Sequence, residues 1–188
     1  MSAVLTLDKQ KLENPPLDLR YLGDHALRQP AKRVSKVDKE TRQWAKTMLQ
    51  TMYSADGIGL AAPQVALNKQ LIVIDCEPDN AATPPLVLIN PQIQSQSPEL
   101  CDVEEGCLSI PGVYRNVTRP QAVEVKFKDE NGRPRKLSTS GLLARAIQHE
   151  IDHLNGVLFV DRVENDLTLT EALRKQGFSS QAVKPLAS

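Results

Sequence analysis

The stretch QHEIDHLNG, residues 148–156, sets His149, Glu150 and His153 in the order H-E-x-x-H. On a helix, residues four apart share a face, so both imidazoles can reach one metal ion. Glu150 follows His149 directly and turns toward the edge of the same cavity, within reach of a water on that ion, as a general base must be. Leu142 and Ala146 extend the histidine stripe backwards, and Leu143, Ile147 and Leu154 cover the adjoining face, so the helix is expected to be buried over much of its surface. Burying two histidines and a glutamate without a partner is costly, and a metal ion removes that cost.

Two histidines leave the site short of a donor. The motif continues as H-E-x-x-H-x-x-G-x-x through Gly156, but Phe159 occupies the position where a metzincin has its third histidine. His25, the one other histidine, sits in the polar segment GDHALRQP and reads as a surface or capping residue. Glu171 lies where a thermolysin-type ligand would fall and would make the chain a zinc endopeptidase, although its host is a short polar helix near the end of the sequence. Cys107, in EEGCLSIPG, is the stronger candidate. Thiolate binds zinc and iron well, and a Cys/His/His set leaves one position open for water. Cys76 ends an apolar run and reads as core, while Cys101 has no supporting context.

The elements that must position these groups follow from periodicity. Val37, Thr41, Trp44, Met48 and Met52 fall at helical spacing and predict a helix from about Val37 to Ser54, with Ser35 at its start and Gly57 as a stop. GIGLAAPQ (57–64) reads as a loop, and residues 70–76 and 85–91 as strands. Residues 92–120 read as several short segments. AVEVKFK and RKLSTS, on either side of Asn131-Gly132, predict a hairpin. The motif helix is expected over 141–154 with Ser140 as its N-cap, followed by an extended VLFVDRV, a short helix TEALRKQ and a tail. Residues 1–20 read as loosely ordered, 21–165 as one catalytic domain, and 166–188 as the short helix and tail. Strands without β-α-β alternation predict an α+β fold.

Bulk properties bound the function. The 188 residues suffice for one domain with a real core, and 40% of them are hydrophobic. Twenty-three basic residues balance 23 acidic ones, so no charge excess points to nucleic acid. No apolar run is long enough for a membrane span. The N-terminus lacks the features of a signal or transit peptide, which predicts a cytoplasmic protein, or an organellar matrix or stromal one if a transit peptide has been removed. Three cysteines without a paired spacing suit a reducing compartment.

Three motifs, GIGLAAPQ (57–64), EGCLS (105–109) and QHEIDHLNG (148–156), stand in this order about forty residues apart. Together they resemble the signature motifs of bacterial and organellar peptide deformylase, over about Tyr21 to Val163; EGCLSIPG is similar to the branch found in Gram-negative-type bacteria and plastids. The resemblance implies antiparallel sheets around a central metal-bearing helix in a single domain. It implies hydrolysis of the N-formyl group of nascent N-formyl-methionyl chains. It implies one divalent metal, usually Fe(II), with zinc, nickel or cobalt also found in purified relatives. The implied ligands are Cys107, His149 and His153, with Glu150 moving the proton from water to the leaving amine. Gln64, through its side-chain amide, and Leu108, through its backbone N–H, would stabilise the oxyanion. Ile58, Gly59 and Gly106 would bind the substrate backbone. Leu142 and Ala146, with Val103 as a looser choice, would wall the methionine pocket. Arg145, beside that pocket, must send its charged head to solvent or to a carboxylate. Glu105, paired with Arg119, is expected to support the cysteine loop from behind. Some relatives dock on the ribosome through a long basic C-terminal helix; here that segment is short and modestly charged, so any ribosome association is expected to be transient.

Overall fold

A computed structural model describes residues 9–80, 82–163 and 167–186. The predicted first helix forms as α1 (Lys39–Ser54), but it begins at Asp38, whose side chain accepts the Thr41 N–H, and not at Ser35. Thr41, Met48 and Met52 bury the predicted stripe. GIGLAAPQ is more regular than a loop: Gly59–Ala61 form strand β1, and Ala62–Val65 a 3-10 turn. Strands β2 (Leu71–Ile74) and β3 (Leu86–Gln96) follow, then β4 (Leu100–Cys107), β5 (Ile110–Pro120), β6 (Ala122–Lys128) and β7 (Pro134–Ser140).

The strands build two antiparallel sheets, a five-stranded one in the order β1-β2-β3-β6-β7 and a two-stranded one, β4-β5. The second sheet corrects the expectation of short segments over 92–120. Its charged and polar alternation hides a long hairpin whose register pairs Val103 with Val117 and Glu105 with Arg115. The β6–β7 hairpin forms as predicted, its turn fixed by Asp129, which accepts the N–H groups of Asn131 and Arg133.

Helix α2 (Gly141–Leu154) carries the H-E-x-x-H motif at its predicted position; Ser140 stands at its N-cap without a side-chain capping bond. Alternate residues of the large sheet explain the layers. Ile72, Ile74, Leu88, Val125 and Phe127 pack with α2 residues such as Ile147 and Leu154. Leu71, Val73, Val87 and Ile89, from the opposite phase of β2 and β3, pack with α1. A third cluster joins the β5 hairpin strand to Leu158, Phe159 and Val160 and to α3 (Leu167–Lys175). The predicted extended segment after α2 is instead a 3-10 turn, Phe159–Asp161. Asp161 receives Leu158 N–H, Lys184 N–H and the Arg28 guanidinium, which tightens the chain there and ties down the C-terminal segment.

The first residues, expected to be loose, lie outside the described part as far as position 8. Residues 9–20 form no helix or strand but are pinned by side-chain bonds to α1 and to the loop after β2.

Candidate active site

Helix α2 and the end of β4 meet at three donors. One ligand atom each from Cys107, His149 and His153 lies within 4.8 Å of the others. Cys107 Sγ stands 3.3 Å from His153 Nε2. Two such donors on one tetrahedral ion at usual bond lengths would stand about 3.5 Å apart. His149 Nδ1 faces Glu105 Oε2 at 2.9 Å, which leaves Nε2 as the nitrogen available to an ion. The thiolate and two imidazoles therefore fit a divalent transition metal.

The electrostatics point the same way. Burial holds His153 well below the ordinary imidazole range, so it is neutral and able to ligate. Burial works against a charged His149 as well, but Cys107 and Glu105 beside it raise it well above that range. Cys107 and Glu105 thus favour positive charge at His149 in particular. Glu150 is buried, which pushes its carboxyl up to about 7. Its Oε2 is buried without a hydrogen-bond partner among the described residues. Gly59 makes room for it, since a Cβ there would stand 2.4 Å from Glu150 Oε1.

Gln64 is 1% exposed and firmly oriented. Its Oε1 accepts the Ala61 N–H at 2.8 Å, so its amide donates to Ser109 Oγ at 3.1 Å and lies 3.5 Å from Cys107 Sγ. Leu108 follows Cys107 in the tight β4–β5 turn and lies against Gly57, where a Cβ would meet its side chain. Gly106 has the Tyr114 ring over it; an added Cβ would come within 2.5 Å of that ring.

Behind the donors, Glu105 is 6% exposed. Burial would raise its carboxyl, but His149 and Arg119 outweigh burial and lower it well below the usual range. Arg119 donates from Nε and Nη2 to the two Glu105 oxygens and from Nη1 to Asp152. The Glu105–Arg119 pairing is the one expected from the sequence. Arg145 takes the carboxylate alternative: Nη1 donates to Glu105 Oε1 at 2.6 Å and to Val117 O. Asp152, with Arg162 as a second partner, and Ser109 were not singled out in the sequence. Asp152 lies three residues after His149, and that spacing on one helix was the available signal.

A cavity of about 520 Å³ opens onto this centre. Ile58, Gly59, Gly106, Leu108, Leu142 and Ala146 line it as expected, with Leu19, Tyr21, Ile110 and Tyr114. Val103 does not: it is 47% exposed on β4 and lies outside the lining. Phe159, in place of a metzincin histidine, stacks on His149 with ring centroids 6.1 Å apart. His25 is exposed and bonded to Gln29. Glu171 is exposed on α3 and outside the donor group, which removes the endopeptidase reading built on it.

A family model described as polypeptide deformylase matches residues 16–168. Peptide deformylase 1 of Nostoc sp. is 67% identical over 187 residues, covering all of both chains. Peptide deformylase of Synechocystis sp. is 65% identical over the same span. The crystal structure of a peptide deformylase from Synechococcus elongatus in complex with actinonin superposes with a TM-score of 0.95 at 66% identity, covering 97% of this chain and 99% of that one. One from Legionella pneumophila has a TM-score of 0.81 at 42% identity, covering 86% and 93%. With that fold shared end to end and two residues in three identical to curated relatives, the chain belongs to the peptide deformylase family.

Proposed function

We propose that Cys107, His149 and His153 hold one divalent metal ion, ferrous iron in the native protein, and that Glu150, Gln64 and Leu108 carry the family's reaction around it. That reaction is hydrolysis of the N-formyl group from the N-terminal formyl-methionine of nascent polypeptides. When bound, the ion supplies Lewis acidity. Glu150 takes a proton from the attacking water. It returns that proton to the amine nitrogen as the C–N bond breaks, so that formate and a free N-terminus leave. The Gln64 amide and the Leu108 N–H donate to the oxyanion that forms on the formyl oxygen. Ile58, Gly59 and Gly106 bind the extended peptide backbone, and Leu142 and Ala146 wall the methionine pocket. Glu105 holds His149 in one ring orientation, and Arg119 holds Glu105.

The observation that carries this reading is the convergence of three donors beside a buried carboxylate oxygen that has no hydrogen-bond partner among the described residues. Zinc, nickel or cobalt would fit the same donors. Ferrous iron with a thiolate ligand predicts loss of activity in aerated buffer without reductant. The protein acts in the cytoplasm, with at most transient contact with the ribosome. The test is formate release from formyl-Met-Ala-Ser by protein reconstituted anaerobically with Fe(II), beside Glu150→Gln. Rapid release by the parent and near-silence in the variant are expected. A folded, metal-loaded parent that releases no formate would overturn the reading.

A further inference from the structure

The Lys9 ammonium sits in a cage of four oxygens. Its Nζ lies 2.7 Å from Asp75 Oδ2 and donates to the carbonyls of Thr83 (2.9 Å), Asn80 (3.0 Å) and Glu77 (3.3 Å). An ammonium has three N–H donors, so this site saturates it. The cage residues also bond one another and Tyr53, without Lys9. Glu77 Oε2 accepts from Asn80 Nδ2 and Thr83 Oγ1, which draws the three residues whose carbonyls face Lys9 together. Asp75 is held by the Tyr53 hydroxyl and the Glu77 N–H. Its side chain is 1% exposed, unlike a surface ion pair. Exposed pairs contribute little, but a buried carboxylate left without its cation is costly.

From Lys9 the chain runs to the catalytic cavity without forming a helix or strand. On the way Gln10 O accepts from Gln50, Lys11 pairs with Asp56, and the Leu12 N–H donates to Ser54 Oγ. At the far end, Arg20 N–H donates to Gln64 O at 2.7 Å and Leu22 N–H to Ser109 O at 2.9 Å. Leu19 and Tyr21, beside these bonds, line the cavity. A segment without secondary structure is ordered by its anchors. Here one anchor is a cation site and the other is the backbone of the residue assigned to the oxyanion.

We propose that Asp75, Glu77, Asn80 and Thr83 form an ammonium-type cation site whose ligand is the chain's own Lys9, and that this latch holds residues 9–22 as a strap forming one wall of the substrate cavity. Lys9 is a positioning residue. The part of the inference that concerns substrate rests on the deformylase reading, whereas the latch itself does not.

The test uses full-length, metal-loaded Lys9→Met in tetramethylammonium chloride, whose cation is too large for the cage, and in potassium or methylammonium chloride at equal ionic strength. In the first salt, thermolysin is expected to cut the strap at Leu12, Leu17 or Leu19 several-fold faster than in the parent. KM for formyl-Met-Ala-Ser should rise several-fold with a smaller change in kcat. Potassium or methylammonium should restore both in part, while the parent ignores the choice of salt. Asp75→Asn, which keeps an acceptor for Tyr53 but removes the cage's charge, should loosen the strap without cation rescue, and it serves if Lys9→Met does not fold. Cutting and KM unchanged in Lys9→Met would overturn the proposal, as would loosening that no small cation reverses. Strap cutting and its rescue require no turnover. A parent that releases no formate would sink the functional reading alone.

Discussion

Glu105 joins the two chain segments that make the metal centre. It reaches from β4 to His149 on α2 and accepts from both Arg119 and Arg145. Removing such an outer partner typically costs a metal site ten- to a hundred-fold in affinity. Glu105→Gln is therefore expected to weaken metal binding by about that factor, measured by competition with a chromophoric chelator; unchanged affinity would deny Glu105 this role. The same residue predicts a pH dependence in the metal-free protein. Its folded-state pKa is depressed, so its contribution to stability is complete above the unfolded value near 4.5 and is lost as pH falls well below it. The gap in urea midpoint between parent and Glu105→Gln should narrow from pH 6 to pH 3. At this scale much was legible. The candidate ligands, Glu150, Gln64 and the Glu105–Arg119 pair stand in or near recognisable motifs. Arg145 could be placed beside the pocket but its partner could not be chosen, because Glu105 lies forty positions away and only the β4–β5 fold brings it near.

The elements show where periodicity is informative and where it fails. Helices α1 and α2 and the Asn131-Gly132 hairpin were readable because each has a clean apolar stripe or a turn signal. The β4–β5 hairpin was not, since half of β4 is exposed and the apolar face of the hairpin lies on β5, where Ile110, Val113 and Val117 enter the core at irregular spacing. That hairpin nevertheless delivers Cys107, Leu108 and Glu105 to the site. The short strand β1 was hidden in a run of small residues, and the small size has a steric consequence: Gly59 lets Glu150 lie against the strand. The backbone at Gly59 has no positive φ, so alanine strains no backbone dihedral there, and its effect comes through the contact with Glu150. The added Cβ would displace the Glu150 carboxylate. A misplacement of about 1 Å in a catalytic group can cost on the order of a hundred-fold in rate. Gly59→Ala is thus expected to lower kcat by that order while retaining its metal; full activity would show that Glu150 does its work from another position.

At the scale of the molecule, the hairpin that brings Cys107 belongs to a different sheet from the one under α2, and among the described residues no ladder joins the two. Two of the links between them are the stacking of Phe159, from the core that holds β5, on His149 of α2, and the polar chain from Arg119 through Glu105 to His149. A metal ion would add a further link, present in the folded state and lost on unfolding. Ligand binding of that kind stabilises by RT ln(1 + [L]/Kd), about 2.7 kcal/mol at a hundred-fold excess over Kd. For a chain of this size each kcal/mol shifts the melting temperature by about 2–4 °C. Stripping the metal with a chelator should therefore lower the melting temperature by about 5–10 °C relative to protein at that excess. Cys107→Ala should lose most of this difference, because the hairpin no longer contributes a donor, whereas Glu171→Ala should keep all of it. A metal-dependent shift that survived in Cys107→Ala would mean that the two histidines bind the ion without the second sheet, and the centre would then not be the joint between the two sheets.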